Sequence, residues 1–280
     1  MREVDVKEIT RAVKELCIET NIIADENVLE AFKKALKSEK SSVGQEVLKT
    51  LLENARIARE ERLPICQDTG MAIVFLEIGQ EAHLVGGDLE SAVNEGVRQG
   101  YKDGYLRKSV VKHPVMRGNT GDNTPAVIHT RIVPGDRIKV TVAPKGFGSE
   151  NMSFVKMLKP TEGFEGVKAF IVECVKKAGG NPCPPIVVGV GIGGTFEKAA
   201  LMAKEALTRP LGQKSPKEDF AKLETELLEE INKTGIGPQG LGGTTTALAV
   251  HVNDFATHIA GMPVAVNICC HAYRHGVRVL

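Results

Sequence analysis

The sequence predicts a mixed α/β (α+β) protein. A helical N-terminal segment over residues 1–61 is followed by a core of strands interspersed with helices over 62–280, the whole read as a single domain. Three observations predict this. Apolar residues recur at helical spacing through the first sixty positions. From residue 71 onward, short apolar or alternating runs of strand length take turns with amphipathic stretches. Segments rich in Gly, Pro, Asn and Asp separate the two kinds of run and end regular structure.

Taken in order, residues 4–20 place Val6, Ile9, Val13, Leu16 and Cys17 on one helical face. Asp25 is a suitable cap for a helix over 25–37 that carries Val28, Leu29, Phe32 and Leu36. A third helix runs from Ser42 to Glu60 through Val43, Val47, Leu51, Leu52, Ala55 and Ala58. After a polar loop, residues 71–77 read as a buried strand, and Gly86-Gly87-Asp88 opens a helix over 89–99. The stretch from Tyr105 to Pro125 is too rich in turn residues for regular structure. Alternation at 126–130 and 137–142 predicts two strands around a Pro134-Gly135 turn. Thr161 caps a helix to Lys177, a strand over 186–194 precedes a helix over 196–208, and a charged amphipathic helix covers 217–233. Strands follow at 244–252 and within 258–272.

Composition excludes several function classes. With 42% hydrophobic and 25% charged residues among 280, the chain can bury a full core, and its net charge of +1 offers no electrostatic case for nucleic acid or a membrane surface. Trp is absent and aromatics are 4%, so stacking platforms for bases are also unsupported. The charged N-terminus lacks an apolar signal region and no apolar run is long enough to span a bilayer, which together predict a cytoplasmic protein. Six cysteines in that setting read as thiols or ligands rather than as a disulfide framework. Cys17 and Cys174 fall on helical faces and read as small core hydrophobes, whereas Cys66, Cys183, Cys269 and Cys270 fall in loops or at strand ends.

Four stretches carry candidate chemistry. Leu63-Pro64-Ile65-Cys66-Gln67-Asp68-Thr69-Gly70 sets a soft ligand, a neutral hydrogen-bonding amide and a proton carrier side by side between apolar flanks. A structural thiol followed by an Asp-capped turn explains those residues equally well. Pro144-Lys145-Gly146-Phe147-Gly148-Ser149-Glu150-Asn151 reads either as a loop whose amides meet an anion or as a tight strand-to-helix turn. Prolines beside Cys183 exclude it from a helix or a central strand and favour a ligand. Gly189, Gly191 and Gly194 have the spacing of a dinucleotide fingerprint, but the following helix runs into a loop rather than a second strand, so that reading is rejected. Thiols at 66, 183 and 269/270 could leave one iron of a cubane cluster open to substrate, or could close a zinc site with one of the seven histidines. The apolar ending Val279-Leu280 suggests a surface that continues into another chain.

Several of these segments together are specific. The Cys66 stretch, Leu106-Arg107, Asn123-Thr124-Pro125-Ala126, Lys145 to Asn151, Cys183-Pro184-Pro185, Gly189 to Gly194 and His258 through Ala272 carry a resemblance that extends over nearly the whole chain. In them the sequence resembles the alpha subunit of the two-subunit, iron-sulfur class I fumarate hydratases and of tartrate dehydratase. The resemblance implies a [4Fe-4S] cluster held by Cys66, Cys183 and one of the final pair. Cys270 is chosen because it precedes His271-Ala272 and stands twelve positions after His258. It further implies that Gln67, Arg107 and the loop at Gly148 hold substrate carboxylates, that Asp68 transfers a proton, and that His258 contacts substrate. The expected activity is reversible hydration of fumarate to (S)-malate, a step of the tricarboxylic acid cycle, with L-tartrate dehydration as the alternative and a non-catalytic iron-sulfur or redox-sensing protein as the reading from another class. A beta subunit that completes the active site is the expected partner.

Overall fold

The structure, a computed structural model, describes residues 2–280. In chain order the elements are β1 (Arg2–Asp5), α1 (Val6–Ile22), α2 (Glu26–Ser38), α3 (Ser42–Glu61), β2 (Met71–Gly79), β3 (Ala82–Val85), α4 (Leu89–Asp103), β4 (Val127–Val133), β5 (Ile138–Lys145), α5 (Phe147–Glu150), β6 (Phe154–Leu158), α6 (Gly163–Ala178), β7 (Ile186–Gly193), α7 (Phe196–Ala206), α8 (Glu218–Asn232), β8 (Ala247–Phe255), β9 (Met262–Cys269) and β10 (Gly276–Val279). The mixed helix-and-strand class is as the sequence predicts. Among the described residues no helix is long and apolar enough to cross a membrane. The described residues divide into two compact units, one of residues 2–25, 55–147 and 274–280 and the other of 26–54 and 148–273, with two of the four boundaries falling inside α3 and α5.

The first unit is built on a four-stranded sheet in the order β10-β5-β2-β4. β2 is central because Ala72, Val74 and Leu76 are all buried, so it needs a partner on each side. It pairs in parallel with β4 and antiparallel with β5. The strands on either side of Pro134-Gly135 are therefore not partners of one another. The end of β2 enters the turn between them, with Gly79 N donating to Arg137 O (2.8 Å) and Gln80 N to Val133 O (2.8 Å). Helices α1 and α4 cross closely because Gly96 and Gly100 leave room, since a Cβ on Gly96 would stand 2.6 Å from Thr10 O. The helix expected from residue 4 begins at Val6, because Asp5 accepts a hydrogen bond from Lys7 N (2.9 Å) and the residues before it pair in parallel with β3. The apolar C-terminus is used within this unit: β10 adds antiparallel to β5, and Leu280 N donates to Ile138 O (2.8 Å).

The second unit holds the sheet β6-β9-β7-β8, with β7 parallel to β8 and antiparallel to β9. Val188, Val190, Val250, Val252, Val266 and Ile268 form one core with residues of α6 and α8, while Val187, Ala249 and Cys269 form another with Val28 and Phe32 of α2 and Leu48 and Leu51 of α3. The glycines at 189 and 191 have a packing reason. A Cβ there would stand 2.2 Å from Ala203 O and 2.1 Å from Ala199 O, so α7 lies directly on the strand backbone.

Glu39, at the end of α2, ties distant chain together. Its buried carboxylate accepts hydrogen bonds from Ser41 N (2.9 Å), Thr244 N (2.8 Å) and Thr245 N (2.8 Å). Burial opposes its ionisation, but these donors outweigh burial and bring its pKa down to about 2 from an ordinary 4.5. Because the folded pKa is depressed, the stabilisation is complete above pH 4.5 and is lost as pH falls through about 2. It amounts to about 3 kcal/mol. Glu39→Gln should therefore unfold at lower urea at pH 7 and lose less stability than the native chain between pH 5 and pH 2. The loss that remains comes from carboxylates such as Asp122, whose pKa is also brought down to about 2. Equal slopes for the two proteins would contradict the clamp.

Candidate functional site

In the first unit the N-terminal ends of β2 and β4 and the C-terminal end of β5 lie together, because Met71 pairs with Lys145 and Ile73 with Val127. The loops that enter and leave these ends are the 62–70 loop, the 104–126 segment and the turn at Gly146-Phe147. Asp68 is fixed at their junction. Its Oδ1 accepts from Gly70 N (3.0 Å) and its Oδ2 from Phe147 N (2.8 Å). The neighbouring Cys66 thiol donates to Gln67 Oε1 (3.3 Å). Gly70, at φ 77°, has to be glycine because a Cβ there would meet the Lys145 backbone at 2.7 Å.

Arg107 is drawn to the same loop through its backbone, whose carbonyl accepts from Thr69 Oγ1 (3.0 Å), and its side chain is exposed. Two fully buried residues hold this frame. Tyr101 donates to Thr69 O (2.7 Å), with Gly70 O at 3.0 Å, and burial pushes its hydroxyl pKa up so that it stays a donor. Asn123, at φ 63°, donates to Gly70 O (3.1 Å) and accepts from Ser109 N (2.7 Å). Cys66, Gln67, Asp68 and the Arg107 backbone are thus gathered at one end of one sheet.

In the second unit a corresponding end collects Cys183 and Cys270. β7 begins just after Cys183-Pro184-Pro185, and β9 ends at Cys269, which pairs with Val187. His271 N donates to Cys183 O (3.2 Å), which joins the two cysteine loops. Gln239 grips the next carbonyl, with its backbone N (2.7 Å) and Nε2 (2.9 Å) both donating to Pro184 O. Gln239 and His271 also line a hollow of about 370 Å³ bordered by Val43, Val47 and Leu51 of α3. Cys183 is exposed and sits at φ 53°, a left-handed conformation that costs a non-glycine residue on the order of 1 kcal/mol or more and persists at ligand-holding positions.

The six thiols sort by environment. Cys17 and Cys174 are buried in core, and burial pushes each thiol pKa up to about 12, which makes them inert. Cys269 is buried against Val187, Leu207 and Tyr273. Cys66, Cys183 and Cys270 are the three with solvent access, each on a loop or just past a strand end. Three accessible thiols are the donor type and number that an iron-sulfur cluster with one iron left open would need. Of the final pair, Cys270 is the more accessible. The set is divided between the units, Cys66 in the first and Cys183 and Cys270 in the second. Among the described residues no three or more His, Cys, Asp or Glu side chains are grouped to hold a metal ion by themselves.

One predicted site residue stands elsewhere. His258 is in the connection between β8 and β9, at the opposite end of the second sheet from Cys183 and Cys270. The spacing of twelve does not make neighbours, because eight of those residues form β9, which carries the chain ~27 Å. Gly148 lies in the short α5, where a Cβ would have only Asn181 O within 4 Å (3.9 Å). The loop's amide at Phe147 does meet an anion, which is the chain's own Asp68. Sequence reading missed Tyr101, Gln239 and Arg274, none of which has a local pattern that marks it, and named Asn123 only within the Asn123-Thr124-Pro125-Ala126 segment, without a role.

Comparison with known proteins shows the family to which the chain belongs. A model of the family described as fumarate hydratase (fumerase) matches residues 10–279. The putative L(+)-tartrate dehydratase subunit alpha of Methanocaldococcus jannaschii is 43% identical over 278 residues, covering 96% of this chain and 96% of that one. The L(+)-tartrate dehydratase subunit alpha of Escherichia coli K12 is 34% identical over 274 residues, covering 97% of this chain and 90% of its own.

Proposed function

The chain belongs to the fumarate hydratase and tartrate dehydratase alpha-subunit family of hydro-lyases, and we propose that it is the cluster-holding subunit of an enzyme that reversibly hydrates fumarate to (S)-malate. The observation that carries this reading is the Gln67-Asp68 pair fixed beside an accessible thiol, with Asp68 held by Gly70 and Phe147. A protein that merely holds or senses through a cluster needs neither residue there.

We assign Cys66, Cys183 and Cys270 as the ligands of a [4Fe-4S] cluster. When bound, it would supply a Lewis-acidic iron that bears no protein ligand. The chain's own groups do the rest. Gln67 and the Arg107 guanidinium orient the substrate carboxylates, Arg107 by charge and Gln67 by neutral hydrogen bonds, with backbone at Gly148 as a further contact. Asp68 carries the proton exchanged with substrate carbon or with the departing hydroxyl, and its two backbone donors fix the direction in which its carboxyl points. His258 stands at the opposite end of β9 from Cys270, so its own position does not support a contact with substrate bound at the Cys183 and Cys270 end.

A dicarboxylate needs at least two anion sites and an acid-base pair, and this chain offers one exposed Arg and one Asp at the loop junction. The name "subunit alpha" borne by both relatives is consistent with a partner, which we assign as a beta subunit that supplies the remaining groups. The enzyme is placed in the cytoplasm, where ligand thiols stay reduced. A second reading, L-tartrate as substrate, is favoured by those same two names. Turnover of (S)-malate and of L-tartrate by the anaerobically reconstituted complex separates them. The leading reading expects the higher kcat/KM on malate, tartrate preference would select the second, and full activity of this chain without any second polypeptide would overturn the two-subunit assignment.

A further inference from the structure

Arg274 follows Cys270 by four residues and stands two residues before the start of β10. It is 5% exposed, and a guanidinium is always charged, so burying it requires compensation. Among the described residues no salt bridge supplies that compensation. Its Nη2 donates to the main-chain carbonyl of Asp68 (2.9 Å) and its Nη1 to Asn21 Oδ1 (2.8 Å), while Nε has no hydrogen-bond partner among the described residues. A buried charge held by two neutral oxygens and left with an orphaned donor is a poor way to stabilise a core, and such a group calls for another explanation.

Its partners supply one. Asn21 is fully buried at the end of α1, donates to Cys17 O (2.9 Å), and through its own carbonyl accepts from Ile65 N (2.8 Å). Arg274 and Asn21 therefore hold the Ile65-Cys66-Gln67-Asp68 segment at both ends, at the Ile65 amide and at the Asp68 carbonyl. Gly146 marks how close the charge comes to the carboxylate. A Cβ built there would stand 3.1 Å from Asp68 Oδ2 and 3.6 Å from Arg274 Nη2. The guanidinium thus lies beneath the loop, near the proton-carrying group without pairing with it.

We propose that Arg274 is a positioning residue, which with Asn21 fixes the Cys66-Gln67-Asp68 loop so that the ligand thiol and the Asp68 carboxyl keep their productive orientation. The inference rests on the role given to Asp68 above. It accounts for the burial of a cation without a carboxylate, for the orphaned Nε and for the placement of Asn21, none of which the substrate-binding assignments use.

The test compares Arg274→Ala, Arg274→Lys and Asn21→Ala, with Asp68→Asn alongside. In the reconstituted complex Arg274→Ala should lower kcat roughly 100-fold while KM moves by less than about threefold, the size expected when a catalytic group is misplaced by about an ångström. Millimolar guanidinium ion should restore part of the loss. Arg274→Lys should recover little, because one ammonium cannot reach both oxygens. In the cofactor-free chain, amide exchange over residues 65–69 should rise about tenfold while β7 and β9 keep their protection. If Arg274→Ala does not fold, Asn21→Ala keeps the cation and should show the same kcat and exchange pattern at smaller amplitude. Unchanged turnover and unchanged loop exchange would overturn the proposal, as would a loss that guanidinium does not rescue together with exchange raised equally across the unit. Full turnover by Asp68→Asn would instead remove the role of Asp68, and the exchange measurement would still decide whether Arg274 holds the loop.

Discussion

Cys183→Ala is expected to leave a folded chain that assembles no iron-sulfur cluster and shows no turnover with its partner. The left-handed backbone at residue 183 is as tolerable to alanine as to cysteine, and the flanking hydrogen bonds, from Cys183 N to Gly180 O (3.1 Å) and from His271 N to Cys183 O (3.2 Å), are made by main chain and survive the change. What is removed is one of three accessible thiols, and a cluster retained by two thiolates is not held. The control is Cys17→Ala. That thiol is fully buried with its pKa pushed up to about 12, so its loss should cost about 1 kcal/mol of packing and leave iron content untouched. Iron and sulfide analysis of both variants after anaerobic reconstitution checks the division, and equal loss from the two would contradict it.

Asp68→Asn should fold, bind the cluster and lower kcat by about 10²–10⁴, with a much smaller change in KM. The carboxylate accepts from Gly70 N on one oxygen and from Phe147 N on the other. An amide has a single oxygen, so the variant loses one of those bonds as well as the exchangeable proton. Steady-state kinetics in both directions measure the effect. A change confined to KM would mean that Asp68 binds substrate without carrying a proton.

Local chemistry was more legible in the sequence than long-range placement. The loop character of Cys66 to Gly70 and of Cys183 followed from their prolines and glycines, and the inert roles of Cys17 and Cys174 followed from helical periodicity. The order of the strands did not follow. Alternation at 126–130 and 137–142 says which residues face a core and is silent about β2 entering between them. β1 and β3 are four residues each, too short for a period to register. Arg274 and Glu39 act on partners far along the chain, Glu39 on a threonine 205 residues later, and no window on a sequence contains both ends of such a contact. The twelve-residue spacing from His258 to Cys270 carries no direction in space, and the extended strand between them sets the two at opposite ends of the second sheet.

The most direct test of the account is the iron, sulfide and zinc content of the native chain purified and reconstituted without oxygen, measured before and after exposure to air. The account predicts about four irons and four sulfides per chain, with hydro-lyase activity in the presence of the second subunit that is lost in air, because the iron without a protein ligand is open to oxidants. Stoichiometric zinc with no sulfide, in a complex that remains active in air, would contradict it.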